Sequence, residues 1–168
     1  MRNTVFVILF FAFILRHSVK AQEFAQPAFA PFLQSYMGIK NALVKSDGPL
    51  TTQEAFNFLN VMNSISSKKL TSTELASYLP LNDELLLSAK RIAESKNLAT
   101  QREHFAALSI VFYKLIKNIS ISPQTIYYAF CPMIKSYWLS ADKVIKNPYF
   151  GKTMVNCGKI VEIIEKSN

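Results

Sequence analysis

The stretch TQREHFAALSIVFYKLIKN, Thr100 to Asn118, decides the fold class. With the next residue, its apolar positions Phe105, Leu108, Phe112, Leu115 and Ile119 recur at i, i+3, i+7, i+10 and i+14. That is the stripe of a helix with one face in a core. Working outward, S/T-x-x-E boxes at Thr51/Glu54, Thr71/Glu74 and Thr100/Glu103 can each satisfy two orphan helix-start amides reciprocally. They predict helices over about 31–46, 51–66 and 100–118, with a break at Asp47-Gly48-Pro49. Pro80 divides a helical turn at 73–79 from a helix opening near Asn82, where Asn-Asp-Glu suits a cap and the positive helix end. Short connections between these segments predict a mainly α domain built as an antiparallel four-helix bundle.

After Pro123 the texture changes. Ile126 to Phe130 is β-branched and aromatic, which suits a short extended segment, and Asn147-Pro148-Tyr149-Phe150-Gly151 reads as a turn. Gly158 to Lys166 reads as a final short amphipathic helix through Ile160, Val161, Ile163 and Ile164. The expected organisation is a signal peptide at 1–21, a linker at 22–30 and one helical domain at 31–168, whose residues 123–168 form an irregular cap bearing Cys and Met.

The leader reading rests on Arg2, the apolar run Val5 to Leu15 and the small-residue site Val19-Lys20-Ala21. Eleven apolar residues fall short of the roughly 20 that a helix needs to span a bilayer. A chain exported to the periplasm, with no membrane insertion after cleavage, is therefore expected. Losing Arg2, Arg16 and Lys20 takes the basic count from 19 to 16 against 11 acidic residues, so the net charge falls from +8 to +5. The remaining basic residues are scattered and do not interleave with aromatics, which argues against a nucleic-acid partner. His104 becomes the only histidine.

Chemistry concentrates in Cys131-Pro132-Met133 and Met154-Val155-Asn156-Cys157. In an extended stretch, residues two apart point the same way, so Cys131 and Met133 can present both sulfurs to one side. In a helical turn, Met154 and Cys157 share a face. Thiolate with thioether is a soft donor set that selects monovalent copper, and by the same logic silver, over hard cations. His104, at the edge of the buried stripe, is the obvious extra ligand. Positive charge near the thiols would favour the thiolate form. The alternative is a disulfide between Cys131 and Cys157, a staple worth about 3 kcal/mol in the chain-entropy view. The chain would then be a structural or interaction module of the cell envelope. An enzyme is not expected, because there is no Cys-x-x-Cys pair, haem-attachment motif or Gly-rich phosphate loop.

These residues also carry a family resemblance. Cys131-Pro132-Met133, Tyr137-Trp138-Leu139-Ser140, Asn147 to Gly151, Met154 and Cys157-Gly158 resemble the CPM…WLS…NPYFG…M…CG signature of a bacterial periplasmic family, domain of unknown function three-three-four-seven. Upstream, Arg102-Glu103-His104-Phe105 resembles its Arg-x-His-Phe helix, and Tyr36 to Asp47 its opening helix. Only four residues separate Met133 from Trp138, where many relatives have a longer glycine-containing loop. The resemblance implies copper or silver handling, with a heavy-metal efflux adaptor or other envelope protein as partner. Carried over by position, the shared polar and sulfur residues are His104, Cys131, Met133, Met154 and Cys157.

Overall fold

A computed structural model describes residues 29–65, 70–119 and 124–165. The expected signal peptide, linker residues 22–28, Ser66 to Lys69 and Pro123 lie outside the described residues. The chain is mainly helical, with a small antiparallel sheet at its C-terminal end. Helices α1 (Ala30–Val44), α2 (Gly48–Ser64), the short α3 (Ser72–Tyr78), α4 (Asn82–Glu94) and α5 (Leu98–Asn118) precede strands β1 (Ile126–Cys131), β2 (Ser136–Ser140) and β3 (Lys159–Ile164). Among the described residues, no helix is long and apolar enough to cross a membrane.

The helix boundaries follow their caps, and only one expected capping box forms. Thr71 and Glu74 pair reciprocally, with Glu74 N–H donating to Thr71 Oγ1 and Thr71 N–H to Glu74 Oε2. The other two helices begin earlier than the boxes predict. Asp47 caps α2 by accepting from Leu50 N–H at 2.9 Å, and Asn97 caps α5 by accepting from Ala99 and Thr100 N–H. Thr51 and Thr100 therefore lie inside helices already started by better-placed Asx caps. Helix α4, by contrast, has no side-chain cap: Leu81 holds its N-cap position, and Asn82 Oδ1 accepts from the Tyr78 hydroxyl. Asp83 and Glu84 do occupy its first turn, where the helix dipole favours acids.

All five stripe residues of α5 are buried. Helix α1 packs along α2, α2 along α4 and α4 along α5, around a cluster of aromatic rings. Phe32 meets Phe58 at 4.4 Å and Phe112 edge-on at 5.1 Å, and Tyr36 stacks between Phe105 and Phe112. The expected linker ends sooner than 30, since Phe29 is fully buried against Phe32 and Tyr78.

Beyond residue 123 the expectation of an irregular cap with a closing helix is corrected. The cap is a three-stranded sheet in the order β2-β1-β3. Tyr137 to Ser140 belongs to a strand, and Lys159 to Ile164 forms a strand where a helix was expected. The run Ile160-Val161-Glu162-Ile163-Ile164 is nearly all β-branched, a composition that packs well on a pleated surface. Its exposure alternates residue by residue along the strand. Apolar spacing alone does not separate the two periods in so short a segment. The edge of β1 decides it by offering unpaired backbone groups, with a bulge at Tyr128/Ala129 that leaves Val161 as the extra residue.

The sheet is fixed to the helices through its side chains. Tyr113 of α5 stacks on Tyr128 of β1 at 3.9 Å, and Tyr128 stacks on Tyr137 of β2 at 5.0 Å. The outer edge of β2 is closed by two tyrosine hydroxyls. Leu139 N–H donates to the Tyr36 hydroxyl at 3.1 Å, and the Tyr149 hydroxyl donates to the Tyr137 carbonyl. Backbone groups that would otherwise template another strand are thereby paired. Burial raises the pKa of Tyr36 and holds Tyr149 well above the ordinary tyrosine value, so both stay neutral donors and acceptors.

Candidate functional site

Cys131 ends β1 and is completely buried. The chain does not stay extended through Cys131-Pro132-Met133 as its spacing suggests. Residues 132–135 form the turn of a β-hairpin, Lys135 takes a left-handed φ of 51°, and Ser136 pairs back on Cys131. Met133 is therefore carried onto the hairpin turn, 59% exposed, while Cys131 stays inside. The four residues between Met133 and Trp138 complete this tight turn and start β2.

Asn147 organises the segment that brings the second cysteine back. It is fully buried, and its polar atoms each bridge a part of the loop. Its side-chain NH2 donates to the Cys157 carbonyl at 2.6 Å and its backbone N–H to the Val155 carbonyl at 2.7 Å. Its Oδ1 accepts from Tyr149 and Phe150 N–H, and its own carbonyl accepts from Gly151 N–H. The loop is tied to the helices by Arg102 of α5, which donates to the Pro148 carbonyl and to Ser46 Oγ, each at 3.0 Å. Gly151, at φ +53°, lies so close to the end of α1 that a Cβ there would sit 2.9 Å from the Leu43 carbonyl.

Met154 and Cys157 share a turn, since Cys157 N–H donates to the Met154 carbonyl at 3.1 Å. Gly158 follows at φ +143°, where a Cβ would meet Trp138 at 2.6 Å and the Phe130 carbonyl at 3.0 Å. The last β1–β3 pair is Phe130 with Lys159, so the register continued by one step sets Cys131 beside Gly158. The two cysteines are accordingly neighbours at the end of the β1–β3 ladder, both free, with Cys131 buried and Cys157 partly exposed. Desolvation and the neighbouring Cys131 push the Cys157 thiol up, opposite to the expectation that nearby positive charge would favour thiolate.

Trp138 lies against Gly158, the residue after Cys157. It is fully buried, meets Tyr149 edge-on at 5.9 Å, and its indole N–H has no hydrogen-bond partner. His104 is half-buried on α5, one residue before the core residue Phe105. Among the described residues, no three His, Cys, Asp or Glu side chains are grouped so as to hold a metal ion. Of the five residues singled out in the sequence, the structure brings Cys131 and Cys157 together and places Met154 in the turn of Cys157. Met133 and His104 sit on other elements.

Sequence reasoning missed the positioning residues Asn147, Arg102 and Tyr36. Asn147 was readable as a turn residue, but the burial of its amide and its bond to Cys157, ten residues away, depend on the tertiary fold.

A set of helices capped by a small sheet that encloses a dithiol is the class of protein these elements define. The chain belongs to the family described as "Protein of unknown function (DUF3347)", which it matches over residues 32–124. That range takes in α1 from its third residue through α5 and stops two residues before β1. Both cysteines therefore lie beyond the matched segment, whereas His104 and Arg102 lie within it. No curated protein and no solved structure matches the chain.

Proposed function

We propose that this protein is a non-enzymatic soft-metal carrier of the bacterial periplasm, with the Cys131–Cys157 pair as the donor set for copper(I) or silver(I). The observation that carries this reading is the β1–β3 register, which sets Cys131 beside Gly158 and so makes the two cysteines neighbours at the boundary of the core. Two sulfurs brought together by strand register and a hydrogen-bonded loop make a preorganised site for an ion that accepts low coordination and soft ligands. Binding as thiolate displaces a thiol proton, and burial pushes the Cys157 thiol up, so only an ion with strong affinity for sulfur does so efficiently. Met154 is the favoured third donor because it shares the turn of Cys157. Met133 on the hairpin turn and His104 on α5 are the remaining candidates. The four long helices, read as an antiparallel bundle, serve as the rigid support. A heavy-metal efflux adaptor or another envelope protein is the proposed partner.

The test is a titration of the reduced full chain with silver(I), read through the single tryptophan, Trp138, and through proton release. One equivalent bound with about two protons released is expected. Equal binding by the Cys131→Ser/Cys157→Ser variant overturns the assignment.

The same neighbouring placement of the two cysteines favours a second reading, in which the pair is a disulfide staple and the domain is an interaction module of the envelope. A thiol count on protein isolated from the periplasm separates them. Two free thiols support the carrier and none supports the staple.

A further inference from the structure

The two sulfurs differ in access, and the difference gives them different chemistry. Cys131 is completely buried at the end of β1, while the Cys157 side chain reaches the surface. The backbone on both sides of Cys157 is held. Its carbonyl accepts from Asn147, its N–H donates to the Met154 carbonyl, and Gly158 is packed against Trp138. These restraints act on the backbone around Cys157 and leave its side chain as the free part of the residue.

We infer that Cys157 is the entry thiol for exchange with small-molecule disulfides and that Cys131 is its resolving partner. In the first step the Cys157 thiolate attacks one sulfur of the reagent RSSR. The S–S bond breaks, a Cys157–S–SR mixed disulfide forms, and the other half leaves as thiolate and takes up a proton. In the second step Cys131 gives up its proton, its thiolate attacks Cys157 Sγ and expels RS⁻, which takes up that proton, leaving the Cys131–Cys157 disulfide. Overall the two protein thiols are oxidised by two electrons and RSSR is reduced to two RSH. The order is set by access, because Cys131 is buried away from a reagent, while its place beside Gly158 in the β1–β3 register makes it the near thiol for the resolving attack. The consequence for metal handling rests on the carrier reading above. A closed disulfide has no thiolates, so the oxidised protein is the metal-free form.

The experiment uses the reduced full chain and glutathione disulfide, with acid quenching and mass mapping of each cysteine. In the native parent, glutathione is expected first on Cys157, followed by loss of the adduct and of both thiols. The Cys131→Ser variant should accumulate the Cys157 adduct. In Cys157→Ser, Cys131 should react at least about tenfold more slowly while folded and at the ordinary rate in urea. Early adducts on Cys131 in the native parent overturn the proposal, and that measurement needs no variant to fold. So does a parent that keeps the adduct without closing the disulfide. Silver(I) titration of the reduced and oxidised forms separates the two ideas. Silver binding without ordered exchange refutes the entry-thiol assignment and leaves the carrier standing. Ordered exchange in a protein that binds no silver refutes the carrier alone, and equal silver binding by both forms refutes oxidation as its off state.

Discussion

The helices from residue 29 to 119 and the sheet from 126 to 164 are held by different kinds of contact. Helical segments are set by near neighbours: Asp47, Thr71 and Asn97 fix their starts, and the Phe105-to-Ile119 stripe fixes a buried face. The sheet is set by residues far apart in the chain, including Tyr36 with Leu139, Arg102 with Pro148 and Asn147 with Cys157. The family match covers the helical part, while Cys131 ends β1 and Cys157 lies in the loop just before β3. A stable scaffold of local design thus presents a cap whose geometry depends on a handful of long-range hydrogen bonds. Function, in our reading, resides in the part that is less determined locally.

That contrast can be broken from either side. The largest effect is expected from Phe112→Ala, which removes the ring shared by Phe32, Tyr36 and Phe58 and should cost about 3–5 kcal/mol in urea unfolding. A cost below about 1 kcal/mol would deny the aromatic cluster its role. Tyr36→Phe deletes the acceptor for the buried Leu139 N–H and the bond to Ser109 Oγ, at about 1–3 kcal/mol. If the cap depends on this hydroxyl, the Leu139 amide should also exchange hydrogen faster than the amides of α5. Gly158→Ala forces a Cβ toward Trp138 at an unfavourable φ and should cost about 1–3 kcal/mol. It should also weaken silver binding while leaving helical circular dichroism intact. Thr71→Ala removes the one capping box and should cost about 1 kcal/mol with no effect on silver binding.

The smallest effects are pH-linked and lie where α5 meets β3. Glu162 pairs with Lys117 and accepts from Tyr113, which together hold its carboxyl below the usual range, while the hydrogen bond to this carboxylate, with burial, pushes Tyr113 up to about 12. The lowered Glu162 value means its contribution is present above the ordinary carboxylate pKa and fades as pH falls through the depressed one. The raised Tyr113 value means its contribution is complete below pH 10, the ordinary tyrosine pKa, and is lost as pH climbs toward 12. Glu162→Gln should therefore lower stability modestly at neutral pH, with the gap from the parent closing at both ends of the range. A gap independent of pH would refute the pairing.

The existence and order of the long helices were legible because caps, proline breaks and a helical stripe are signals carried within a few residues. Ile126 to Phe130 was legible as extended for a similar reason, being β-branched and aromatic. The final strand was not. Ile160 to Ile164 fits either period, and only pairing with β1 across more than thirty residues selects one. At the site, the sequence marked both cysteines and the kinship of Met154 with Cys157. It misjudged Met133, because a hairpin turn replaces the extended segment, and it misjudged the surroundings of Cys157, where burial and the neighbouring Cys131 push the thiol up.

The central claim is that Cys131 and Cys157 together hold one soft cation. X-ray absorption on the reduced full chain loaded with one equivalent of copper(I) tests it most directly. The account predicts a low-coordinate first shell dominated by sulfur, lost in the Cys131→Ser/Cys157→Ser variant. A shell of nitrogen or oxygen donors, or one unchanged in that variant, would contradict it.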